Sequence, residues 1–258
     1  MAYLDRIFIY PIKSLDGIAV NRAIVLESGA LKGDREFAII DTQGNYVNGK
    51  RNAKVHQIRS QFDLEERIVS LQIEGTEQTE SFHLEGDRPL LEAWLSAYLG
   101  FPVTLGQNTE VGFPDDRDSP GPTVISTATL ENITTWFSGV KFEDAQLRFR
   151  TNLEIGDVAA FWEDCLYGEA DRVVPFQIGE VLMHGVNPCQ RCIVPTRNAI
   201  TGEQDATFQK TFVARRREML PEWAERSRFN HFYKLAVNTR IPASQAKKVL
   251  NSGDLVKR

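Results

Sequence analysis

Asn187-Pro188-Cys189-Gln190-Arg191-Cys192-Ile193-Val194-Pro195-Thr196 brings two of the chain's three cysteines together beside a guanidinium. A thiolate is the reactive and metal-binding form of cysteine, and a fixed positive charge such as Arg191 favours it by lowering the thiol pKa. Cys192 is therefore the candidate metal ligand and reactive centre. Pro188 stiffens the approach and argues against a helix through the pair. Three plainer chemistries compete at this spacing. Structural zinc needs four ligands, and Cys165, His56, His83, His184 and His231 supply no second closely spaced pair. A thioredoxin-like dithiol would open a helix after a strand, whereas Ile193-Val194-Pro195-Thr196 reads as extended chain. A purely structural pair of buried thiols stays open, because free cysteine packs as a small hydrophobe.

The chain that must position these thiols has 258 residues, 42% of them hydrophobic, enough to bury a real core as one large or two small domains. A net charge of -5 gives no global attraction to nucleic acid. Arg215-Arg216-Arg217 is a local basic run that reads as a solvated helix face. Three cysteines form no disulfide framework and fit a reducing compartment. The N-terminal residues lack the apolar core of a signal peptide, and no segment reaches the length of a membrane span. A cytoplasmic protein without membrane or nucleic-acid partners is expected.

Strand patterns dominate the first hundred residues. Leu4, Ile7 and Ile9 lie in a β-branched run; 18–26 and 37–41 continue it, and 57–64 with 68–73 reads as a hairpin. A helix is expected over 89–99, stopped by Gly100. The Pro-, Gly- and Asp-rich stretch 112–122 reads as an exposed loop or domain junction. Beyond it, Val124-Ile125 is a short strand, Thr127 or Thr129 caps a helix through Leu130, Ile133, Trp136 and Phe137, and 147–150 alternates apolar with basic as a strand would. Further strands are expected at 158–162, 176–178 and 180–185, a basic helix at 213–223 and a final strand at 232–238. The fold class is mainly β with some helices, an α+β chain. Residues 1–110 form a β-barrel-like domain packed on a second barrel-like domain over 111–258.

Strand ends could gather Tyr10-Pro11-Ile12-Lys13-Ser14, Gly33-Asp34-Arg35, Arg148 to Asn152, and Arg191-Cys192. Lys13, Arg35 and Arg150 would supply positive charge, Ser14 and Asn152 hydrogen bonds, and Cys192 a soft ligand. Each basic residue taken alone also fits a plain surface position.

These stretches, with Val124-Ile125-Ser126, Thr196 and Thr201-Gly202-Glu203, resemble the MOSC proteins in their order along the chain. Those proteins are relatives of the molybdenum cofactor sulfurase C-terminal domain, here with the associated N-terminal β-barrel domain in front. The resemblance is to the branch containing the mitochondrial amidoxime-reducing component and its bacterial relatives. It implies a molybdenum-pterin cofactor between the two domains, with the Cys192 thiolate on the metal. Lys13, Ser14 and Arg35 would hold the cofactor from the N-terminal side, and Ser126, Thr127, Arg150, Asn152 and Arg191 from the other. A thiolate suits molybdenum as a soft ligand, and Arg or Lys suits the pterin phosphate.

The implied activity is two-electron reduction of small N-hydroxylated compounds: amidoximes, hydroxylamines and hydroxylated nucleobases. An iron-sulfur domain of the fused ferredoxin type needs four cysteines at recognisable spacing, so electrons would come from a separate protein carrying flavin, haem or iron-sulfur. Thr196-Arg197-Asn198-Ala199 stands where relatives commonly continue Thr-Val-Asp-Pro, which changes the charge of the site's rim. The alternative is a non-catalytic carrier of the cofactor, or of sulfur as a Cys192 persulfide; a further one is a scaffold that has lost the cofactor. Pyridoxal phosphate binding attaches to the family by association alone.

Overall fold

Strand β1 (Tyr3–Ile9) opens the chain and buries Leu4, Ile7 and Ile9. Two short strands follow, β2 (Ile18–Val20) and β3 (Arg22–Ile24), then β4 (Phe37–Asp41), β5 (Ile58–Asp63), β6 (Ile68–Ile73) and β7 (Thr79–His83). The computed structural model describes residues 1–258. In β5, Ile58, Ser60 and Phe62 turn inward while Gln61 and Asp63 face water, the period of two expected of a half-buried strand. Helix α1 (Arg88–Leu99) buries Leu91, Leu95 and Leu99 along one stripe. Gly100 ends it in the left-handed region at φ 88°, donating its amide to the Ser96 carbonyl. Strand β8 (Val103–Gln107) then pairs antiparallel with β4. Most of these elements share one hydrophobic core, in which Phe37, Ile39, Ile58, Leu71, Leu91 and Leu95 are fully buried.

The second part contains β9 (Val124–Ser126), α2 (Thr127–Thr134), α3 (Phe142–Phe149), β10 (Leu153–Gly156), β11 (Val174–Ile178) and β12 (Val181–Gln190). Helix α4 (Phe208–Glu218), β13 (Lys234–Arg240), β14 (Val249–Asn251) and β15 (Val256–Lys257) complete it. Its main sheet runs β15-β11-β12-β13-β9-β10-β1-β2. The expected division at residue 110 falls in the irregular stretch between β8 and β9. Strands nevertheless cross it in both directions, because β1 and β2 join this sheet and β14 returns to pair with β3.

The mainly β, α+β reading holds; several local expectations do not. Residues 147–150 are no strand: Phe142–Phe149 is helical, with Ala145 and Phe149 buried one turn apart. Four residues of alternation are too short a pattern to separate a strand from the end of a helix, whose buried face recurs at Ala145, Arg148 and Phe149. Residues 158–162 are no strand either. Asp157 and Phe161 take φ 57° and 61°, which breaks extension, and a 3-10 turn over Trp162–Leu166 follows. That turn packs closely on β12, where a Cβ at Gly185 would lie 1.7 Å from the Leu166 carbonyl oxygen. Val194–Thr196 is a single 3-10 turn rather than extended chain, with Pro195 in its first turn. The strand expected last is followed by β14 and β15.

Arg215-Arg216-Arg217 is not one solvated face. Arg215 and Arg217 are exposed, whereas Arg216 is buried and forms an ion pair with the equally buried Asp164. Tyr167 donates its hydroxyl to Asp164 at 3.0 Å. Beside them Glu163 accepts from the Ser126 amide at 3.2 Å and the Thr129 hydroxyl at 3.0 Å through Oε2, while Oε1 has no partner. Burial, with the neighbouring Asp164 charge, pushes Glu163 from its ordinary 4.5 up to about 7. A raised acid stabilises the fold most fully below its unfolded pKa and loses that contribution as pH rises through the folded one. Glu163→Gln should therefore abolish a decline of up to roughly 3 kcal/mol between pH 4.5 and pH 7. Urea unfolding across that window checks it; parallel declines in both proteins would contradict the assignment.

Candidate functional site

Parallel β9 and β10 begin at the edge where antiparallel β1 ends, because Leu153 pairs with Val124 and Ile7 with Leu153. The chain leaving β1, the loop before β9, the turn before β10 and the end of β12 therefore meet. They enclose a cleft of about 510 Å³. Lys13, Ser14, Arg35, Arg150, Asn152, Arg191 and Cys192 all line it. Ser126 and Thr127, also expected as cofactor contacts, lie outside the lining. Ser126 is fully buried as the N-cap of α2, its Oγ accepting the Thr129 amide at 3.0 Å, and Thr127 Oγ1 donates to Asp5 at 3.3 Å. A serine between a strand and a helix is used up as a cap.

Thr123 occupies the cleft wall instead. Its amide and its hydroxyl each donate to Asn152 Oδ1 at 3.2 Å, and Asn152 Nδ2 donates to the Phe8 carbonyl at 3.1 Å. Asn152 thus ties β1, β9 and β10 together at the floor.

Tyr10, fully packed at the end of β1, is a platform for two cations. The Arg150 guanidinium sits 4.3 Å from its ring centroid and that of Arg35 5.2 Å. Arg35 is neutralised by Asp34 and reaches Asn152 Oδ1 at 3.4 Å. Arg150 donates to the Leu15 carbonyl and has no carboxylate partner. Burial lowers its pKa, and the like charge of Arg35 adds to the effect. Lys13 donates to the Phe113 carbonyl at 2.8 Å and to Asp115 at 2.6 Å, and burial pulls its pKa down. Burial would raise Asp115, but the charges of Lys13 and Arg35 hold it far below the usual carboxylate range. Ser14, Arg35 and Arg150 take positive φ of 78°, 49° and 49°. Each such non-glycine costs about 1–2 kcal/mol, strain that gathers at ligand-binding positions.

On the opposite wall Cys189 and Cys192 are half-buried free thiols. Arg191 makes its hydrogen bonds away from its neighbour Cys192. Its Nη1 lies 3.3 Å from Cys189 Sγ, and Nη2 donates to the Phe149 carbonyl. Arg148 donates to the Pro195 carbonyl at 2.8 Å and the Arg197 carbonyl at 2.6 Å, which fastens the turn after Cys192 to α3. Arg197 turns away towards the Gly202 carbonyl at 3.0 Å, and Asn198 closes the following turn by accepting the amides of Ile200 and Thr201. Thr123, Asp34, Asp115 and the locking role of Arg148 escaped the reading of the sequence. Asp34 and Arg148 sat inside recognised stretches; Asp115 lies in a loop with no periodic signal.

Nine lysines and arginines line the cleft against four aspartates, in a chain whose net charge is -5. A half-buried guanidinium without a counter-charge and a soft sulfur lining one space fit an anionic, metal-bearing ligand. No three His, Cys, Asp or Glu side chains converge to hold a metal by themselves. A metal bound through Cys192 would draw its other ligands from a non-protein group.

A family profile described as the MOSC N-terminal beta barrel domain matches residues 1–100, and the MOSC domain profile matches residues 123–254. The chain belongs to the MOSC family. It is 26% identical to mitochondrial amidoxime reducing component 2 of Bos taurus over 246 residues, covering 78% of this chain and 68% of that one. It is 22% identical to human molybdenum cofactor sulfurase over 255 residues, covering 80% of this chain. The chain spans only 28% of that sulfurase's length. A mosquito relative, molybdenum cofactor sulfurase 2 of Aedes aegypti, is 30% identical over 112 residues, covering 38% of this chain and 14% of that one. Pyridoxal phosphate receives no support from these relatives' names. No helix is long and apolar enough to cross a membrane.

Asn152→Ala should lower stability by about 2 kcal/mol, since it strands the Thr123 donors and the Phe8 carbonyl at a buried floor. Urea unfolding of the cofactor-free protein checks this; a loss below about 0.5 kcal/mol would mean that Asn152 does not hold the three strands together.

Proposed function

We propose that the cleft holds a molybdenum-pterin cofactor and that the chain reduces N-hydroxylated compounds with electrons from a separate electron-transfer protein. One observation carries the reading: the half-buried Arg150 guanidinium has no carboxylate partner and lines the same cleft as the free thiol of Cys192. The family match and the amidoxime reducing relative support it. Cys192 would supply the soft ligand, and Lys13, Ser14, Arg35, Arg150 and Asn152 would bind the pterin and its phosphate. Arg191 would act at one remove, setting Cys189 and the Phe149 carbonyl.

When bound, the cofactor supplies two-electron redox chemistry at the substrate nitrogen. The overall change takes two electrons and two protons, breaks the N–O bond, forms an N–H bond and releases water. The protein's part is to hold cofactor and substrate in a walled cleft and to keep the Cys192 loop fixed through Arg148. Redox partners carrying flavin, haem or iron-sulfur all fit this demand. Three unpaired cysteines suit the reducing cytoplasm we assign to it.

The test is turnover of an amidoxime, an aromatic hydroxylamine and a hydroxylated purine base by cofactor-loaded protein, with a reduced viologen dye as electron donor. Turnover in the wild type, falling at least about 100-fold in Cys192→Ala, is expected. A protein that retains the cofactor and turns over none of them would be the carrier. Arg150→Gly gives a second check. It relieves a left-handed non-glycine but also deletes the Leu15 hydrogen bond and the Tyr10 ring contact, so the stability of the cofactor-free protein should change by less than about 1 kcal/mol while cofactor retention falls. Unchanged retention would remove Arg150 from the anchoring set.

A further inference from the structure

Two pairs within the cationic lining share no hydrogen bond or ion pair with each other. One is the Tyr10 platform with Arg35 and Arg150. The other is Arg228 and Lys234, which line the cleft on the side of the cysteines; Lys234 pairs with Gln190, the residue between Cys189 and Arg191. We propose that Arg228 and Lys234 form an anion subsite for the substrate, so that the preferred N-hydroxylated compound carries a phosphate, as a hydroxylated nucleotide does. This rests on the reductase reading above and names its substrate class.

The contacts of this pair position charge without cancelling it. Lys234 Nζ donates to the Arg228 carbonyl and to Asn230 Oδ1 at 2.8 Å. Arg228 Nη1 donates to the Gly168 carbonyl at 3.3 Å and the Glu169 carbonyl at 2.9 Å. Every acceptor is a neutral carbonyl or amide oxygen. Neither cation has a carboxylate in ion-pair range, in contrast to Lys13, Arg35 and Arg59 on the same lining. Nη2 and Nε of Arg228 make no protein hydrogen bond and are not sealed in the interior, so they can donate to a ligand.

Lys234 is bound to the backbone carbonyl of Arg228, which ties the two residues together while the Arg228 guanidinium is held on the Gly168 and Glu169 carbonyls. Burial and the Arg228 charge both lower the Lys234 pKa. A phosphate dianion would relieve that repulsion and accept charge-assisted hydrogen bonds from both heads. The Tyr10 platform already answers to one phosphate. A second, separate pair is surplus for a cofactor with a single phosphate and for a neutral amidoxime, and it suits an anionic arm on the substrate.

The experiment uses the full chain loaded with cofactor, a reduced viologen donor, and an N-hydroxylated purine nucleoside beside its 5′-monophosphate. The monophosphate should be favoured by about tenfold or more in kcat/KM, mainly through KM, the scale of a lost hydrogen bond to a charged group. Lys234→Gln, which keeps a donor for the Arg228 carbonyl, should bring the ratio near one while molybdenum per chain is retained. Lys234→Arg should keep the preference. Equal use of both substrates by the wild type would overturn the subsite. Loss of molybdenum in Lys234→Gln would overturn it too, by giving the pair to the cofactor. Should metal-loaded protein reduce neither compound, the reductase reading fails on its own and calorimetric titration with adenosine 5′-monophosphate decides. Binding weakened about tenfold in Lys234→Gln keeps the subsite, and no binding to the wild type removes it.

Discussion

Two guanidiniums share the ring of Tyr10, and only one of them has a carboxylate. Their distances to that ring put Arg35 and Arg150 less than about 10 Å apart, where like charges repel by about 2 kcal/mol at an effective dielectric of 20. Tyr10 compensates part of this through its π face, and Asp34 neutralises Arg35. Arg150 is left as half-buried positive charge without a carboxylate. Such an arrangement persists because the surrounding structure enforces it: α3 ends with Arg150 in the left-handed region, and Asn152 two residues later is fixed by three strands. The cationic platform and the floor of the sheet are thus one construction.

That construction explains why the chain interleaves its two parts. Tyr10 follows β1, which belongs to the sheet of β9 and β10 although it is the first strand of the sequence. A cleft between two fully separate domains would change shape with their relative motion. Here β1 and β2 extend the C-terminal sheet, β14 returns to β3, and the Gln57 and Arg59 side chains reach the Thr201 and Ala199 carbonyls across the mouth. Both walls of the cleft are tied to a common frame, as holding a ligand in one geometry requires.

Strand identity in the N-terminal half was legible because inward residues recur every second position, as in β5, and α1 was legible because leucines recur every fourth with glycine after the end. The order of the polar stretches pointed to the family, and seven of the nine named site residues meet in one cleft. What could not be read was side-chain direction at short elements. Ser126 was taken as a ligand contact and is a helix cap; Arg148 was placed on a strand and is the helical lock on the cysteine loop; Arg191 adjoins Cys192 in sequence yet reaches Cys189 in space. Neighbouring residues in extended chain point to opposite sides, and only the fold decides which side is the cleft.

The central claim is that uncompensated cationic charge and the Cys192 thiol hold one metal-bearing anion. The most direct measurement is the molybdenum and pterin content per chain of protein purified from cells able to make the cofactor. Both should be near one per chain in the wild type, with molybdenum lost and the fold retained in Cys192→Ala. Folded wild-type protein containing neither, from cells supplied with molybdate, would contradict it.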